Sequence, residues 1–485
     1  MPGSPDWVLT AAQMRSAEQA LIDAGTAVDE LMQRAADGAA EWVWRIAAGR
    51  SVTVLCGPGN NGGDGYVIAQ VLRERGLPVT VVAAADPQTE AARTARTLYH
   101  GEVLAASATL HAPRQVQDDR VLVDCLFGTG LTRPLSDELF AMLTRLAASH
   151  RQCIAVDLPS GVASDSGAVL NEGLPTYALT IALGAWKWAH WMMPAAQLMG
   201  ERRLVQIGID AGAQRDFTTA RLLTRPRLAA PAADAHKYTR GLVVVVAGAM
   251  PGAAVHAARA AEHGGAGYVK VLTGGRDLKL PDDLVVDARP LSEALADQRI
   301  SAIVVGPGLG RDDRARETLQ QVLCSECLAP TVVDADALHL IGPDVDWGPD
   351  GRTLVFTPHA GELAHLARAF SLPEYQPPFA RKVHEAIELD WQTNATIVAK
   401  GPDTIVFNRD LGMLIAPSAS SWLSVAGSGD VLAGLIASRL AGGSDTVTAC
   451  AEALWLHGEA ARLAGPAFTA SELAGSIKAA YAATL

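Results

Sequence analysis

Two segments rich in glycine and aspartate have residue types suited to binding an anion. Residues 57–65 read Gly-Pro-Gly-Asn-Asn-Gly-Gly-Asp-Gly and follow the mostly apolar run 51–56. Residues 427–430 read Gly-Ser-Gly-Asp and precede the mostly apolar segment 431–438. A glycine turn between a strand and a helix lets backbone N–H groups and the positive helix end reach a phosphate. We therefore predict two separate sites for anionic ligands.

The first segment differs from the common nucleotide-binding motifs. It has no lysine of the phosphate-loop type, and no acidic residue stands at the later strand end that the dinucleotide fingerprint requires. Its side chains Asn60, Asn61 and Asp64 instead offer oxygens that suit hard cations and sugar hydroxyls.

Two further loops, residues 124–134 and 157–161, follow predicted strands and begin with Asp124 and Asp157. A single aspartate at a strand end commonly caps a turn or a helix. Open α/β sheets, however, bind ligands at the carboxyl ends of their strands. Three such segments in one half of the chain therefore predict one shared site.

Short β-branched runs that alternate with helical segments must position these loops. The pattern predicts two mostly parallel sheets, each covered by helices on both faces, and hence an α/β protein. The predicted strands of the first sheet are 52–56, 79–83, 121–125, 153–156, 179–183 and 204–207. Those of the second are 242–247, 268–272, 302–305, 331–333, 353–356 and 395–399.

The chain ends and its middle complete the predicted organisation. Thr10 is placed to cap a first helix, and Thr26 with Asp29 resembles a capping box for a second. Residues 211–235 contain prolines, arginines and alanines without an apolar period, which predicts a linker. We assign domains to residues 1–212 and 228–485, joined by 213–227. Alanine-rich helices are expected around 449–464 and 470–483.

Composition excludes several classes of protein. A chain of 485 residues is expected to form two or three domains. Forty lysines and arginines against 52 acidic residues give a net charge of −12, which argues against nucleic-acid binding. Neither a transmembrane segment nor a signal peptide is evident, so we expect a cytoplasmic protein without a membrane partner.

Cys324 and Cys327 form the only close cysteine pair, and we interpret the cysteines as small buried residues rather than metal ligands.

The order of the three loops in the first half of the chain indicates one particular protein family. Residues 10–212 resemble the N-terminal epimerase domain of NAD(P)H-hydrate repair enzymes, which interconverts the R and S epimers of hydrated NADH and NADPH. The resemblance implies a Rossmann-like fold and contacts between the hydrated nucleotide and Asp157. It implies further contacts with Asn60, Asn61, Gly62, Gly63, Asp64, Gly128, Thr129, Gly130, Leu131, Thr132, Arg133 and Pro134.

The same resemblance implies a potassium ion held by Asn61, Asp124 and Ser160, a chemically sensible set of hard oxygens. Lys187 resembles a lysine of the family, but the glycine that usually follows shortly after it is absent from Trp186-Lys-Trp-Ala-His190. We expect Asp157 to act as the acid/base of epimerisation. The alternative is that Asp157 only caps the turn 159–161.

The second half gathers several loops at predicted strand ends. Residues 306–310 read Gly-Pro-Gly-Leu-Gly, residues 334–338 Asp-Ala-Asp-Ala-Leu, and residues 357–362 Thr-Pro-His-Ala-Gly-Glu. Residues 400–404, Lys-Gly-Pro-Asp-Thr, follow another strand and could contact a nucleotide phosphate. Asp430, next to the positive end of a helix, could take the proton of a hydroxyl that attacks a phosphoryl group.

Residues 228–485 resemble the C-terminal dehydratase domain of the same repair enzymes, which has a ribokinase-like fold. That domain phosphorylates the hydroxyl of the hydrate, and loss of phosphate regenerates NADH or NADPH. The resemblance implies hydrate contacts at Ala254, Gly308, His359 and Asp430, with magnesium shielding the phosphates. It implies contacts with the adenine nucleotide at Lys400, Gly401, Pro402, Asp403, Thr404 and Gly429. His339 departs from the asparagine that is common there.

The leading interpretation is a bifunctional enzyme that repairs hydrated NAD(P)H. The epimerase-first domain order favours ADP over ATP as the co-substrate, and we expect a homo-oligomer. One alternative is a ribokinase-type kinase of a small alcohol, since the Gly-Ser-Gly-Asp loop serves any phosphoryl transfer. Another is a first domain that only binds a nucleotide or a partner without catalysis.

Overall fold

In the computed structural model the chain forms two compact units. The structure describes residues 6–106, 118–214, 216, 219–377 and 379–485. Unit 1 comprises the residues up to Arg221 together with Pro377–Ala380, and unit 2 comprises Leu222–Gln376 and Arg381–Leu485. No helix among the described residues is long and apolar enough to cross a bilayer.

Unit 1 is built around a parallel sheet. The strands of this unit are β1 (Trp7–Leu9), β2 (Val52–Cys56), β3 (Val79–Ala83), β4 (Glu102–Ala105), β5 (Asp118–Cys125), β6 (His150–Val156), β7 (Leu179–Leu183), β8 (Trp186–Lys187), β9 (Glu201–Val205) and β10 (Ala220–Leu222), of which β1, β8 and β10 lie outside the parallel sheet. Its helices are α1 (Ala11–Asp23), α2 (Val28–Ala47), α3 (Asn60–Glu74), α4 (Glu90–Leu98) and α5 (Asp137–Ser149).

Within the described part of unit 1, seven parallel strands lie in the order β4-β3-β2-β5-β6-β7-β9. The order reverses between β2 and β5, as it does in the doubly wound dinucleotide-binding fold. Hydrophobic clusters that include α2 and α3 on one side and α5 on the other fill both faces. A ligand is therefore expected in the crevice beyond the carboxyl ends of β2 and β5.

Unit 2 repeats this architecture with a different strand order. Its strands are β11 (Leu242–Val246), β12 (Tyr268–Leu272), β13 (Val286–Asp287), β14 (Ile300–Val305), β15 (Thr331–Val333), β16 (Leu354–Phe356), β17 (Thr396–Ala399), β18 (Ile405–Asn408) and β19 (Gly412–Ile415). Its helices are α6 (Pro251–His263), α7 (Leu291–Ala294), α8 (Asp313–Leu323), α9 (Ala360–Ala369), α10 (Arg381–Thr393), α11 (Ser428–Ala441), α12 (Thr446–Ala464) and α13 (Ala470–Ala482).

The strands of unit 2 run in the order β13-β12-β11-β14-β15-β16-β17-β18-β19. Pairing is parallel as far as β17 and antiparallel from β17 to β19. All residues of β11 are buried although successive side chains point to opposite faces, so both faces of the sheet are covered. The prediction of an α/β protein with two covered, mostly parallel sheets is confirmed.

Most predicted strands match the observed ones to within a few residues, and β2, β3, β7, β12 and β15 match at both ends. The prediction of a strand at 204–207 was misplaced, since β9 covers Glu201–Val205. Thr10 does form a capping box with Gln13. The predicted capping box of Thr26 was wrong: Ala27 precedes α2 and makes no side-chain capping bond, while the Thr26 N–H donates to Leu21 O at 3.0 Å.

The division between the units, at Arg221, falls inside the stretch expected to be a linker. That stretch is not structureless, because β10 pairs antiparallel with β1 through Ala220 and Arg221. An alternation of apolar and polar residues was not visible in the sequence of β10, since a three-residue strand is too short to show a period.

Candidate active sites

The first candidate site lies where β2 and β5 end side by side. The Gly57 N–H donates to Cys125 O at 3.1 Å. A Cβ atom at Gly57 would lie 1.8 Å from Leu126 O, so only glycine permits this approach of the two chain segments. Helix α3 begins at Asn60 after Gly59, so Asn60 to Asp64 form its first turns rather than a loop. The expected glycine loop is therefore only 57–59.

Asp157 is the centre of this site. It has a left-handed φ of 65°, an uncommon conformation for any residue other than glycine. Its Oδ2 accepts hydrogen bonds from Thr129 N at 2.8 Å and Thr129 Oγ1 at 2.5 Å. Its Oδ1 lies 2.5 Å from Lys187 Nζ. Burial alone would raise the pKa of Asp157, but Lys187 and Thr129 outweigh it and hold that pKa below its usual value.

The pKa of a second carboxyl group, Asp64, is shifted in the opposite direction. It is buried in α3, and desolvation together with the nearby charges of Asp157 and Glu18 raises its pKa well above the ordinary range. Two carboxyl groups whose pKa values are driven apart are suited to opposite roles in proton transfer. The ionised Asp157 can accept a proton, and the neutral Asp64 can donate one.

Gly128 lies between two of the predicted site residues. A Cβ atom there would lie 2.7 Å from Asp157 Oδ2 and 3.2 Å from Asn61 Oδ1. The structure thus brings together the ends of β5 and β6 and the start of α3. Further along the same loop, Thr132, Arg133 and Pro134 are exposed, and Leu131 is half-buried.

Asp124 and Ser160 are also brought together, as the sequence predicted. Ser160 Oγ donates to Asp124 Oδ1 at 2.7 Å, and Ser160 N donates to Oδ2 at 3.1 Å. Leu126 N and the Tyr177 hydroxyl, at 3.1 and 2.6 Å, complete four hydrogen bonds to this fully buried carboxylate. Desolvation raises the pKa of Asp124 in spite of these donors.

The amide group of Asn61 indicates whether a cation could bind in this region. Its buried Oδ1 and Nδ2 atoms have no hydrogen-bond partner in the protein. An orphaned amide oxygen suits a hard monovalent cation, as do a carboxylate and a hydroxyl oxygen. The Ser160 hydroxyl can turn to Phe127 O, 3.2 Å away, and release one lone pair of Asp124. In chemical type, the oxygen donors of Asn61, Asp124 and Ser160 therefore fit potassium.

The second candidate site lies at the carboxyl edge of the unit 2 sheet. Asp334, buried at the end of β15, accepts a hydrogen bond from Thr357 Oγ1 at 2.6 Å and pairs with Lys400 Nζ at 2.7 Å. Burial lowers the pKa of Lys400, but Asp334, Glu362 and Asp430 outweigh it and raise that pKa. Lys400 remains a fixed positive charge.

Asp430 stands in the first turn of α11, which begins after Gly427 in a left-handed conformation. Burial, reinforced by the negative charge of Asp334, raises the pKa of Asp430 to about 7. A Cβ atom at Gly429 would lie 3.2 Å from Lys400 Nζ. The predicted base and the predicted nucleotide loop are therefore neighbours.

The loop 400–404 divides into an exposed and a buried half. Gly401 and Pro402 are exposed, and Asp403 and Thr404 are buried. Gly401 N donates to Thr404 Oγ1 at 3.0 Å, which closes the turn. The buried Asp403 pairs with Lys382 at the start of α10. Lys382 was not predicted, because 21 residues separate it from Asp403 and no local pattern marks it.

His359 is not a core histidine, since 59% of its side chain is exposed. It caps α9: its Nδ1 accepts hydrogen bonds from Gly361 N and Glu362 N at 3.0 and 3.2 Å, while Glu362 Oε2 accepts one from His359 N at 2.9 Å. Its Nε2 is 3.4 Å from Glu362 Oε1.

Ala254 and Gly308 are placed differently from His359. The Ala254 side chain is fully buried in the core, so its backbone would have to make any ligand contact. Gly308 has a φ of 62°, and its carbonyl accepts a hydrogen bond from Met250 N at 2.9 Å. The loops after β11 and β14 therefore meet at the switch point of this sheet.

The two halves of the chain match two protein families. Residues 28–189 match the family described as the YjeF-related protein N-terminus, and residues 243–481 match the NAD(P)H-hydrate dehydratase family. A bifunctional NAD(P)H-hydrate repair enzyme Nnr from Gloeobacter violaceus is 33% identical and covers 93% of this chain and 92% of its own length. The chain belongs to the bifunctional NAD(P)H-hydrate repair enzymes.

Other members of this repair family show the same coverage. The enzyme of that name from Moorella thermoacetica is 34% identical over 86% of this chain and 84% of its own, and that from Escherichia coli is 30% identical over 94% and 89%. A solved ADP/ATP-dependent NAD(P)H-hydrate dehydratase from Bacillus subtilis, co-crystallised with ATP and magnesium, is 26% identical. It covers 53% of this chain and 95% of its own, with a TM-score of 0.45.

The resemblance of both halves to NAD(P)H-hydrate repair enzymes is thereby confirmed, and with it the prediction of a bifunctional enzyme. The alternative of a small-alcohol kinase fused to a binding domain is not favoured. The structure adds Lys187, His190, Tyr177 and Glu18 to the neighbourhood of the first site. Of these only Lys187 had a signal in the sequence.

Proposed function

We propose that unit 1 interconverts the R and S epimers of hydrated NADH and NADPH through Asp157. Unit 2 dehydrates the S epimer at the expense of ADP, giving AMP and phosphate, with Asp430 as its base. The observation that carries the proposal is a carboxyl group with a shifted pKa at the carboxyl edge of each sheet, the buried Asp157 in unit 1 and the half-buried Asp430 in unit 2. A stereoselective dehydratase consumes one epimer, and the epimerase supplies it from the other.

In unit 1, the hydroxyl of the hydrate sits on the ring carbon next to the ring nitrogen. Asp157 takes the hydroxyl proton as the carbon–nitrogen bond breaks, and Asp64 protonates the nitrogen. The resulting aldehyde rotates and closes again on its other face, which returns both protons. Lys187 keeps Asp157 ionised in the free enzyme. Asp64 becomes a carboxylate as Asp157 becomes neutral, so the net charge of the site does not change during ring opening.

Potassium would be held by Asn61, Asp124 and Ser160, and would supply positive charge near the substrate. The support is the orphaned Asn61 amide and the direct contact between Asp124 and Ser160. The loop residues 128–134 and the first turn of α3 would hold the nucleotide.

In unit 2, Asp430 accepts the hydroxyl proton as that oxygen attacks the β-phosphorus of ADP. AMP leaves. The phosphate on the ring carbon then departs as the ring nitrogen donates its lone pair, and the adjacent carbon loses a proton to the departing phosphate, which forms the ring double bond. With its pKa near 7, Asp430 is partly ionised at neutral pH. Lys400 and the N–H groups at the start of α11 face the transferring phosphate. Magnesium would shield the phosphate charge when bound.

The decisive experiment incubates the protein with racemic NADH hydrate, ADP and magnesium. Full return of nicotinamide absorbance requires both activities, half requires only the dehydratase, and none contradicts the proposal. Asp430→Ala should abolish the return while leaving epimerisation intact. Asp157→Asn should slow epimerisation about 100- to 10,000-fold, the usual worth of a general base, and leave a fast return of half the absorbance. ATP in place of ADP tests the co-substrate.

We also propose that the enzyme is a cytoplasmic homo-oligomer. Cell fractionation and light scattering of the purified protein test the two statements separately.

A further inference from the structure

His190 connects the two charged residues of the first site through their backbone atoms. It lies in a 3-10 turn, Trp188–His190, directly after Lys187, and is fully buried. Its Nδ1 accepts a hydrogen bond from Lys187 N at 2.9 Å. Because that nitrogen is an acceptor, the neutral ring carries its proton on Nε2, which donates to Asp157 O at 2.8 Å.

The hydrogen bond from His190 Nε2 to Asp157 O acts on a residue with an uncommon backbone conformation. Asp157 has a φ of 65°, and an uncommon backbone conformation persists only where its surroundings over-determine it. The Asp157 N–H donates to Ile181 O at 2.7 Å, and the His190 ring holds the carbonyl on the other side of the same residue. Both backbone polar groups of Asp157 are therefore fixed.

We propose that His190 is a positioning residue of the epimerase, a clamp that holds Asp157 and Lys187 in the geometry that proton transfer by Asp157 requires. The inference rests on the proposed role of Asp157. His190 acts only through these two residues and touches no substrate atom. Burial lowers the pKa of His190 to about 4, so the clamp stays neutral over the working pH range.

The test compares His190→Ala with two variants that each keep one half of the clamp. Glutamine can place an N–H where Nε2 stands and preserve the bond to Asp157, whereas asparagine can place an oxygen where Nδ1 stands and preserve the bond to Lys187. His190→Ala should lower the kcat of epimerisation about 10- to 100-fold with KM changed less than about threefold, as expected for a misplaced catalytic group. His190→Gln should recover most of that loss, and His190→Asn little of it.

The pH profile separates positioning from a loss of folding. Lys187, Glu18 and Asp64 are the other titratable groups facing Asp157. When the clamp is gone, the ion pair with Lys187 weakens, so the acidic limb of kcat/KM should move to higher pH in His190→Ala. His150→Ala is the matched control: His150 is also buried, and its ring bonds to Thr53 Oγ1 and Leu146 O at 2.8 and 2.7 Å, at the opposite end of β6.

The control should leave both the pH profile and KM unchanged, and the dehydratase activity of unit 2 should persist in every variant. Adding His190→Ala to Asp157→Asn should cause no further loss of rate, because the clamp acts through Asp157. A wild-type kcat in His190→Ala, an equal effect of His150→Ala, or additive losses in the double variant would overturn the inference. Absence of epimerase activity in the wild-type protein would instead contradict the proposed function.

Discussion

Lys187 and Asp157 form an ion pair in which both side chains are buried, with Nζ 2.5 Å from Oδ1 and exposed fractions of 1% and 8%. Glu18 and Asp64 are also close to this pair, and burial raises the pKa of both. Three carboxyl groups thus lie near one lysine, and only the one in direct contact with it has a lowered pKa. The lysine decides which carboxyl is the base.

Lys187→Met should therefore destabilise unit 1 by roughly 3–5 kcal/mol, the usual cost of leaving a buried charge unpaired. In the wild-type protein the lowered pKa of Asp157 adds stability above the unfolded pKa of about 3.9, which is lost as the pH falls through the folded value. In the variant the pH dependence of stability reverses, because without Lys187 burial raises the pKa of Asp157. Stability should fall as the pH rises from about 4.

Calorimetry of the variant at pH 5 and pH 8 measures this effect, and the lower transition temperature is expected at pH 8. The double variant Lys187→Met with Asp157→Leu should regain much of the loss, since no unpaired charge remains. An unchanged transition in the single variant would show that Asp157 is solvated.

The dehydratase should depend on the ionisation of Asp430. With a folded pKa of about 7, its carboxylate form is lost as the pH falls, so kcat should decline below neutral pH with a slope of one. Lys400 lowers that pKa, and Lys400→Met should therefore move the decline to higher pH as well as weaken nucleotide binding.

The matched control for Lys400 is Lys270→Met, which removes a lysine of the same unit that pairs with Asp297 at 3.4 Å. It should leave the pH profile of the dehydratase in place. Profiles that coincide in the wild-type protein and Lys400→Met would remove Lys400 from the electrostatics of Asp430.

Gly57 and Gly59 offer a pair of substitutions two residues apart with opposite expectations. A Cβ at position 57 would lie 1.8 Å from Leu126 O, whereas one at position 59 meets nothing within 4 Å. Gly59 also has a φ of −91°, which any residue can adopt. Gly57→Ala should cost about 1–3 kcal/mol and separate the ends of β2 and β5, with loss of epimerase activity.

Gly59→Ala should retain epimerase activity and lose about 0.5–1 kcal/mol at the N-cap of α3. Thermal unfolding and epimerase assays of both variants measure the contrast. Equal tolerance at the two positions would mean that the loops after β2 and β5 are farther apart in solution.

Epimerase activity should increase with potassium and not with choline at equal ionic strength. The Asn61 amide has no protein partner, so a bound cation would satisfy it. Asn61→Leu should lower the rate and abolish the potassium dependence, measured as epimerase rate against salt concentration. A rate that is the same in both salts would exclude a functional potassium site.

The sequence by itself determined the local features of this protein. Glycine, aspartate and β-branched residues act through the backbone of their own neighbourhood, and so the strands β2, β3, β7, β12 and β15 were predicted at both ends. The same local chemistry placed ligand loops at strand ends, and the order of those loops indicated the family. Thr26 shows the limit, since the observed helix begins two residues later.

Only the tertiary structure decided which side chains meet. Asp124 contacts Tyr177 across 53 residues, Lys400 contacts Asp334 across 66, and Asp157 contacts Lys187 across 30. These distances in sequence depend on strand order, which no local pattern encodes because neighbouring strands in a parallel sheet are joined through helices. The direction of each pKa shift depends on the same contacts. The sequence therefore indicated where Asp157 and Asp430 lie, and the fold decided that burial and neighbouring charge adapt the first to stay ionised and the second to titrate near neutral pH.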